Sequence, residues 1–168
     1  MNVFKQIKNN IKNTNNVDIF AFLEGEQENL FGLHIEEFFA FDYKTLETKH
    51  NYIQWVFPTP EPSKHGFSPK ITLNDAKTRN NETIRQNMRK AYQIMRSFYS
   101  IERKSEWLTP GNHNFLRISR ILRSLRVFSL DEEAEEFYNY LCKVKRCHPN
   151  AIPDKTVKIW TERNKKVW

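Results

Sequence analysis

His50, Asn51 and Gln54 stand together in a run that is otherwise aromatic and aliphatic, Tyr52-Ile53 and Trp55-Val56-Phe57. An imidazole with its ordinary pKa near ~6.5 can take or give a proton close to neutral pH, and the two amides beside it offer both donors and acceptors. Read as one helix from Asp42 to Phe57, the segment puts His50 on the face of Leu46 and Ile53, with Gln54 one turn on. A buried polar group without a partner costs about 1–3 kcal/mol. So either His50 and Gln54 satisfy carbonyls of the proline-rich stretch after Phe57 and lock it to the helix, or they form a small polar pocket that grips a ligand.

The second cluster is His113, Asn114, Arg117 and Arg120. On a helix, Asn114 joins the buried stripe of Ile118, Ile121 and Leu125, and Arg117 flanks it. Arg120, Arg123 and Leu116 point to the far side. Arg117 and Arg120 carry the planar donor forks that clamp a carboxylate or a phosphate, and the same forks can instead pair with the acidic run Asp131–Glu136. Arginines at 117, 120, 123 and 126 spiral around the helix, whereas a DNA recognition helix gathers its basic residues on one side. No GxSxG, P-loop or GxGxxG motif supplies a nucleophile or a phosphate cradle. His34, His50, His65, His113 and His148 show no HxxxH pairing, and Cys142 and Cys147 lie about 140° apart on a helix. Neither a metal nor an organic cofactor is expected.

The elements that must hold these residues are helices. The chain has 168 residues, 39% hydrophobic and 14% aromatic, with only four glycines. That excludes intrinsic disorder and argues against a turn-rich sandwich or barrel. Val3, Phe4, Ile7 and Ile11 mark a short amphipathic helix before an Asn-rich break, and the ambiguous apolar run Ile19–Leu23 follows. A helix is expected over Asp42–Phe57 with Asp42 as N-cap, apolar nearly all round in its last turns, central in the bundle and stopped by Pro58. Phe57–Pro69 carries four prolines and reads as an extended loop packed on the surface. Thr72 and Asp75 have capping-box spacing, and Ile84, Met88, Ala91, Met95 and Phe98 mark a long helix widened by Tyr92 and Tyr99. A helix opening near Asn112–Asn114 follows, then one capped by Ser129 and Glu132 and ended by Pro149, then a last one opened by Pro153.

The expected fold is therefore all-α: a compact single-domain bundle of six to eight helices with a proline-rich loop. Its core includes Trp55, Phe57, Tyr92, Phe98, Ile118, Ile121 and Leu125. Residues 1–16 are set apart as the N-terminal helix and break, 17–162 as the helical domain, and 163–168 as a basic tail. No apolar stretch nears the ~20 residues that span a bilayer, and Met1–Lys12 lacks a signal peptide's apolar core. A cytoplasmic protein is expected, or a nuclear one if the source is eukaryotic. The net charge of +7 is unevenly spread, from −4 over Met1–Glu47 to +10 over Thr48–Arg126. No basic run exceeds two residues, so acidic and basic segments are expected to fold against one another and largely cancel.

The segment His50–Pro58 with Glu61-Pro62-Ser63, the segment Asn112–Leu125, and between them Lys90–Met95 with Phe98-Tyr99 resemble the conserved domain of the opioid growth factor receptor family. The likeness spans at least Asp42–Leu125. Through Trp107–Gly111 and the tail to Trp160 it resembles the short microbial members, for which it extends from about Asp18 to Trp160. It implies a helical domain. Animal members are described as perinuclear or nuclear receptors for an enkephalin peptide that restrain proliferation, and they carry further segments; for this chain the resemblance implies the fold. The leading function is a non-catalytic binding module for a protein or peptide partner, with His50, Asn51, Gln54, His113, Asn114, Arg117 and Arg120 as candidate contacts. The alternatives are an enzyme built on the His, Asn and Arg residues, and a nucleic-acid binder using basic surface.

Overall fold

The computed structural model describes residues 17–168, which are helical with no strand among them. The helix expected around Val3–Ile11 lies outside the described residues. Ten α-helices follow in order among those described: α1 Ile19–Glu24, α2 Ile35–Phe38, α3 Tyr43–Thr48, α4 Ile53–Val56, α5 Leu73–Arg79, α6 Glu82–Phe98, α7 Lys104–Trp107, α8 Asn114–Val127, α9 Asp131–Cys147 and α10 Asp154–Arg163. A 3₁₀ turn, Ile101–Arg103, leads into α7. The number exceeds the expected six to eight because several helices are one turn long and one expected helix is split.

That split positions the site. Asp42 caps α3 as expected, its carboxylate accepting from Thr45 N at 2.7 Å. The helix then stops, because Lys49 turns extended (φ −81°, ψ 136°). Arg117, 6% exposed, donates to the carbonyls of Leu46 at 2.7 Å, Glu47 at 3.4 Å and Lys49 at 2.8 Å. The Tyr52 hydroxyl also donates to Leu46 O, at 2.8 Å, and its burial pushes its pKa up to about 12. The carbonyls at the end of α3, which a continuing helix would bond, are thus satisfied by side chains. The single helix from Asp42 to Phe57 is corrected to two short ones, and the shared face proposed for Leu46 and His50 goes with it. Leu46 is buried, while His50 and Asn51 are exposed. Tyr52–Phe57 is buried on every side, as its all-round apolar character implies.

Helix α8 is buried along most of its circumference and packs on α9, α10 and α5, while α6 packs on α1 and α9. Trp55, Phe57, Tyr92, Phe98, Ile118, Ile121 and Leu125 all lie in one continuous core. The turn from α8 to α9 differs from its capping-box reading. Ser129 has φ 59°, Ser129 N donates to Arg126 O and Leu130 N to Leu125 O, so the serine closes α8 in a left-handed C-terminal motif. Leu130 holds the N-cap position of α9 without a side-chain cap. Pro153 likewise sits one place outside α10, at its N-cap. Thr72 and Asp75 do form a reciprocal capping box on α5.

Candidate functional site

The proline-rich loop, α4, α8 and α10 enclose a cleft of about 620 Å³. The loop is fixed to α8 along its length. Arg120 Nη1 donates to Phe57 O at 3.3 Å, Ser124 Oγ to Pro58 O at 2.8 Å, and Arg123 Nε to Glu61 Oε1 at 2.6 Å. Arg163 of α10 reaches the same Glu61 oxygen at 3.4 Å. The side chains that lock the loop therefore come from α8 and α10, which replaces the reading in which His50 and Gln54 bind its carbonyls.

The acidic run Asp131–Glu136 is taken by other arginines. Arg126, buried, binds Asp131 at 2.8 Å and Glu135 at 2.6 Å; Arg89 binds Glu133 at 2.7 Å and Arg96 binds Glu136 at 3.2 Å. Pairing of Arg117 and Arg120 with that run is corrected accordingly. Position 126 lies on the α9-facing side of α8, and positions 117 and 120 face the loop. Arg120 makes no ion pair among the described residues, and one hydrogen bond, to Phe57 O, occupies only one of its three nitrogens. Burial lowers its pKa from the ordinary guanidinium value; nearby Glu61 opposes that shift and Arg163 adds to it.

His50, Gln54, His113, Arg117 and Arg120 all line the cleft. Asn51 is exposed and does not, and Asn114 is buried beneath it. There the Asn114 amide donates to Glu47 Oε2 at 3.0 Å and accepts from the Tyr99 hydroxyl at 3.0 Å, whose pKa burial raises. Arg117 Nη2 lies 3.0 Å from His50 Nδ1. A guanidinium only donates, so His50 Nδ1 keeps its lone pair and the ring proton sits on Nε2. Desolvation where the otherwise exposed His50 ring packs on its neighbours comes first, then the charges of Arg117 and His113, and together they hold its pKa below the usual value. The His50 and His113 rings meet edge to face at 5.5 Å, and His113 Nε2 lies 3.3 Å from Glu47.

Gln54 is 6% exposed and Thr59 is 7% exposed; both line the cleft, and neither side chain hydrogen-bonds another described residue. Thr59, Glu61, Arg123 and Arg163 also line the cleft, and they are not among the contacts expected from the sequence. On a helix Arg123 shares the outward side of Arg120, and that shared side is the available signal. Nothing local connects Arg163 to the loop. No group of three or more metal-ligating side chains occurs among the described residues.

A family model described as the opioid growth factor receptor conserved region matches residues 11–150. The chain belongs to that family. The opioid growth factor receptors of Mus musculus and Homo sapiens are each 31% identical to it over 107 residues, 54% of this chain but 17% and 16% of theirs. The opioid growth factor receptor-like protein 1 of Mus musculus is 33% identical over 114 residues, 56% of this chain and 24% of its own. The match thus covers less than a quarter of the length of these curated relatives. No solved structure matches the chain. Both sides of the cleft from His50 to Arg123 lie within the region the opioid growth factor receptor model matches, whereas Ile159 and Arg163 lie beyond it. No helix among the described residues is long and apolar enough to cross a membrane.

Proposed function

We propose that this member of the opioid growth factor receptor family is a non-catalytic binding domain that seats a segment of a protein or peptide partner in the cleft between the proline-rich loop, α8 and α10. The observation that carries the reading is a cleft wall bearing uncommitted polar groups: the amide of buried Gln54, the hydroxyl of buried Thr59 and two nitrogens of half-buried Arg120. Polar groups that face a cleft without a protein partner pair favourably with an incoming ligand. Leu116, 72% exposed, and Ile159 add apolar contact at the rim. The relatives' printed names describe receptors, a binding role, and only that role is transferred here. Convergence of His50 and His113 raises the enzyme alternative. Neither ring, however, is hydrogen-bonded to a hydroxyl or thiol among the described residues, and Arg117 already engages one nitrogen of His50.

The test is selection of a displayed random-peptide library on the folded domain, run beside Arg120→Ala and Leu116→Asp. Peptides enriched on the native domain and lost on both variants support the cleft as the seat. Equal enrichment on all three, or none on any, rejects it.

A further inference from the structure

We infer that the partner presents a phosphate monoester, and that the cleft is an oxyanion site centred on Arg120 with Gln54 and Thr59 as its neutral hydrogen-bond donors; this rests on the binding-domain reading above. Charge is the first argument. Arg117, Arg120, Arg123 and Arg163 line one cleft, and Glu61 is the one carboxylate among its lining residues, so three positive charges stay unbalanced before Lys64 on the loop wall is counted. A dianion offsets two of those charges, whereas a second carboxylate would offset only one.

Donor inventory is the second argument. Four uncommitted groups facing the cleft can donate: Arg120 through two nitrogens, the Gln54 amide nitrogen, the Thr59 hydroxyl and, by its tautomer, His50 Nε2. A phosphate dianion has three strong acceptor oxygens and no donor, which matches that set. The resident carboxylate is a poorer partner. Arg123 and Arg163 share Glu61 Oε1, while Glu61 Oε2 is buried and finds no donor among the described residues. A nucleic-acid backbone fits less well, because its phosphodiesters carry one charge each and need a strip of free cations. Arg89, Arg96 and Arg126 are instead paired with acids of α9.

Side-chain NMR titration tests the inference with inorganic phosphate, a phosphoserine peptide, its unphosphorylated counterpart and a single-stranded oligonucleotide. Phosphate and the phosphopeptide should produce saturable shifts at Arg120 and Gln54, weakened roughly tenfold or more by Arg120→Ala and clearly weakened by Gln54→Leu. Glu61→Gln, which removes the competing carboxylate, should tighten both. Tighter binding of the phosphopeptide than of phosphate identifies a modified side chain as the source, and equal binding identifies the free ion. Shifts that do not saturate, that survive Arg120→Ala in a variant with a native thermal melt, or that are larger with the oligonucleotide overturn the site. Arg120-dependent library peptides without phosphate binding would leave the binding domain standing and remove only this inference.

Discussion

Arg117 and Arg120 are one helical turn apart on α8 and equivalent by type, and their surroundings separate them. Arg117 holds together the broken segment between α3 and α4 through three carbonyls and His50, whereas Arg120 makes a single 3.3 Å bond to Phe57 O. Arg117→Met should therefore destabilise by about 3–5 kcal/mol, since it strands buried carbonyls. Arg120→Ala should cost no more than about 0.5–1.5 kcal/mol. Urea melts of the two variants compare them directly, and similar midpoints would refute the assignment. Desolvation of the His50 ring, and after it the charge of Arg117, also shifts the titration of His50. The folded pKa lies below the unfolded value, so between the two the unfolded chain binds more protons and stability rises with pH. The contribution is complete above about 6.5 and is lost as pH falls through the folded value. Imidazole ¹⁵N shifts should show an Nε2-protonated His50 with a midpoint below ~6.5, and a midpoint above it would contradict the Arg117 contact.

At the scale of elements, the helices with local signals were legible. Thr72 and Asp75 cap α5, and the four-and-three spacing from Ile84 to Phe98 is α6. The break after Thr48 was not legible, because its cause is a guanidinium about seventy positions away in sequence. Local propensity from Asp42 to Phe57 favours one uninterrupted helix. The α8–α9 turn misled for another reason. Ser129 and Glu132 have capping-box spacing, but the tight reversal at Phe128–Leu130 needs a left-handed residue, and Ser129 takes that place. A left-handed serine is strained where glycine is not. Ser129→Gly, at an exposed position, should raise stability by about 0.5–1 kcal/mol, after the extra entropy of a glycine in the unfolded chain is subtracted. A thermal melt should rise by about 1–4 °C; a fall would mean that the Ser129 side chain contributes a contact outweighing the strain.

Over the whole molecule, charge alternation along the chain becomes pairing across helices. The acids of α9 meet Arg126 of α8 and Arg89 and Arg96 of α6, which leaves the loop-facing arginines of α8 with Glu61 alone. Cancellation of segment charges was readable in the sequence, but which arginines escape it depends on the packing of α8. The same packing reaches past position 162, where composition suggests a basic tail begins. Arg163 binds Glu61 at the cleft, Asn164 accepts from buried Arg126 at 3.1 Å, and the Trp168 indole donates to Val127 O at 3.2 Å. These contacts tie the cleft wall and the α8–α9 junction to the last turn of α10. Ending the chain at Glu162 should thus orphan an Arg126 donor and free one of Glu61's two cationic partners, lowering stability by roughly 2–4 kcal/mol. Thermal melts of the full and shortened chains, followed by circular dichroism and tryptophan fluorescence together, decide the matter. Coincident transitions shifted several degrees down by the truncation fit a terminus built into the fold, and an unchanged midpoint would return residues 163–168 to the status of a tail.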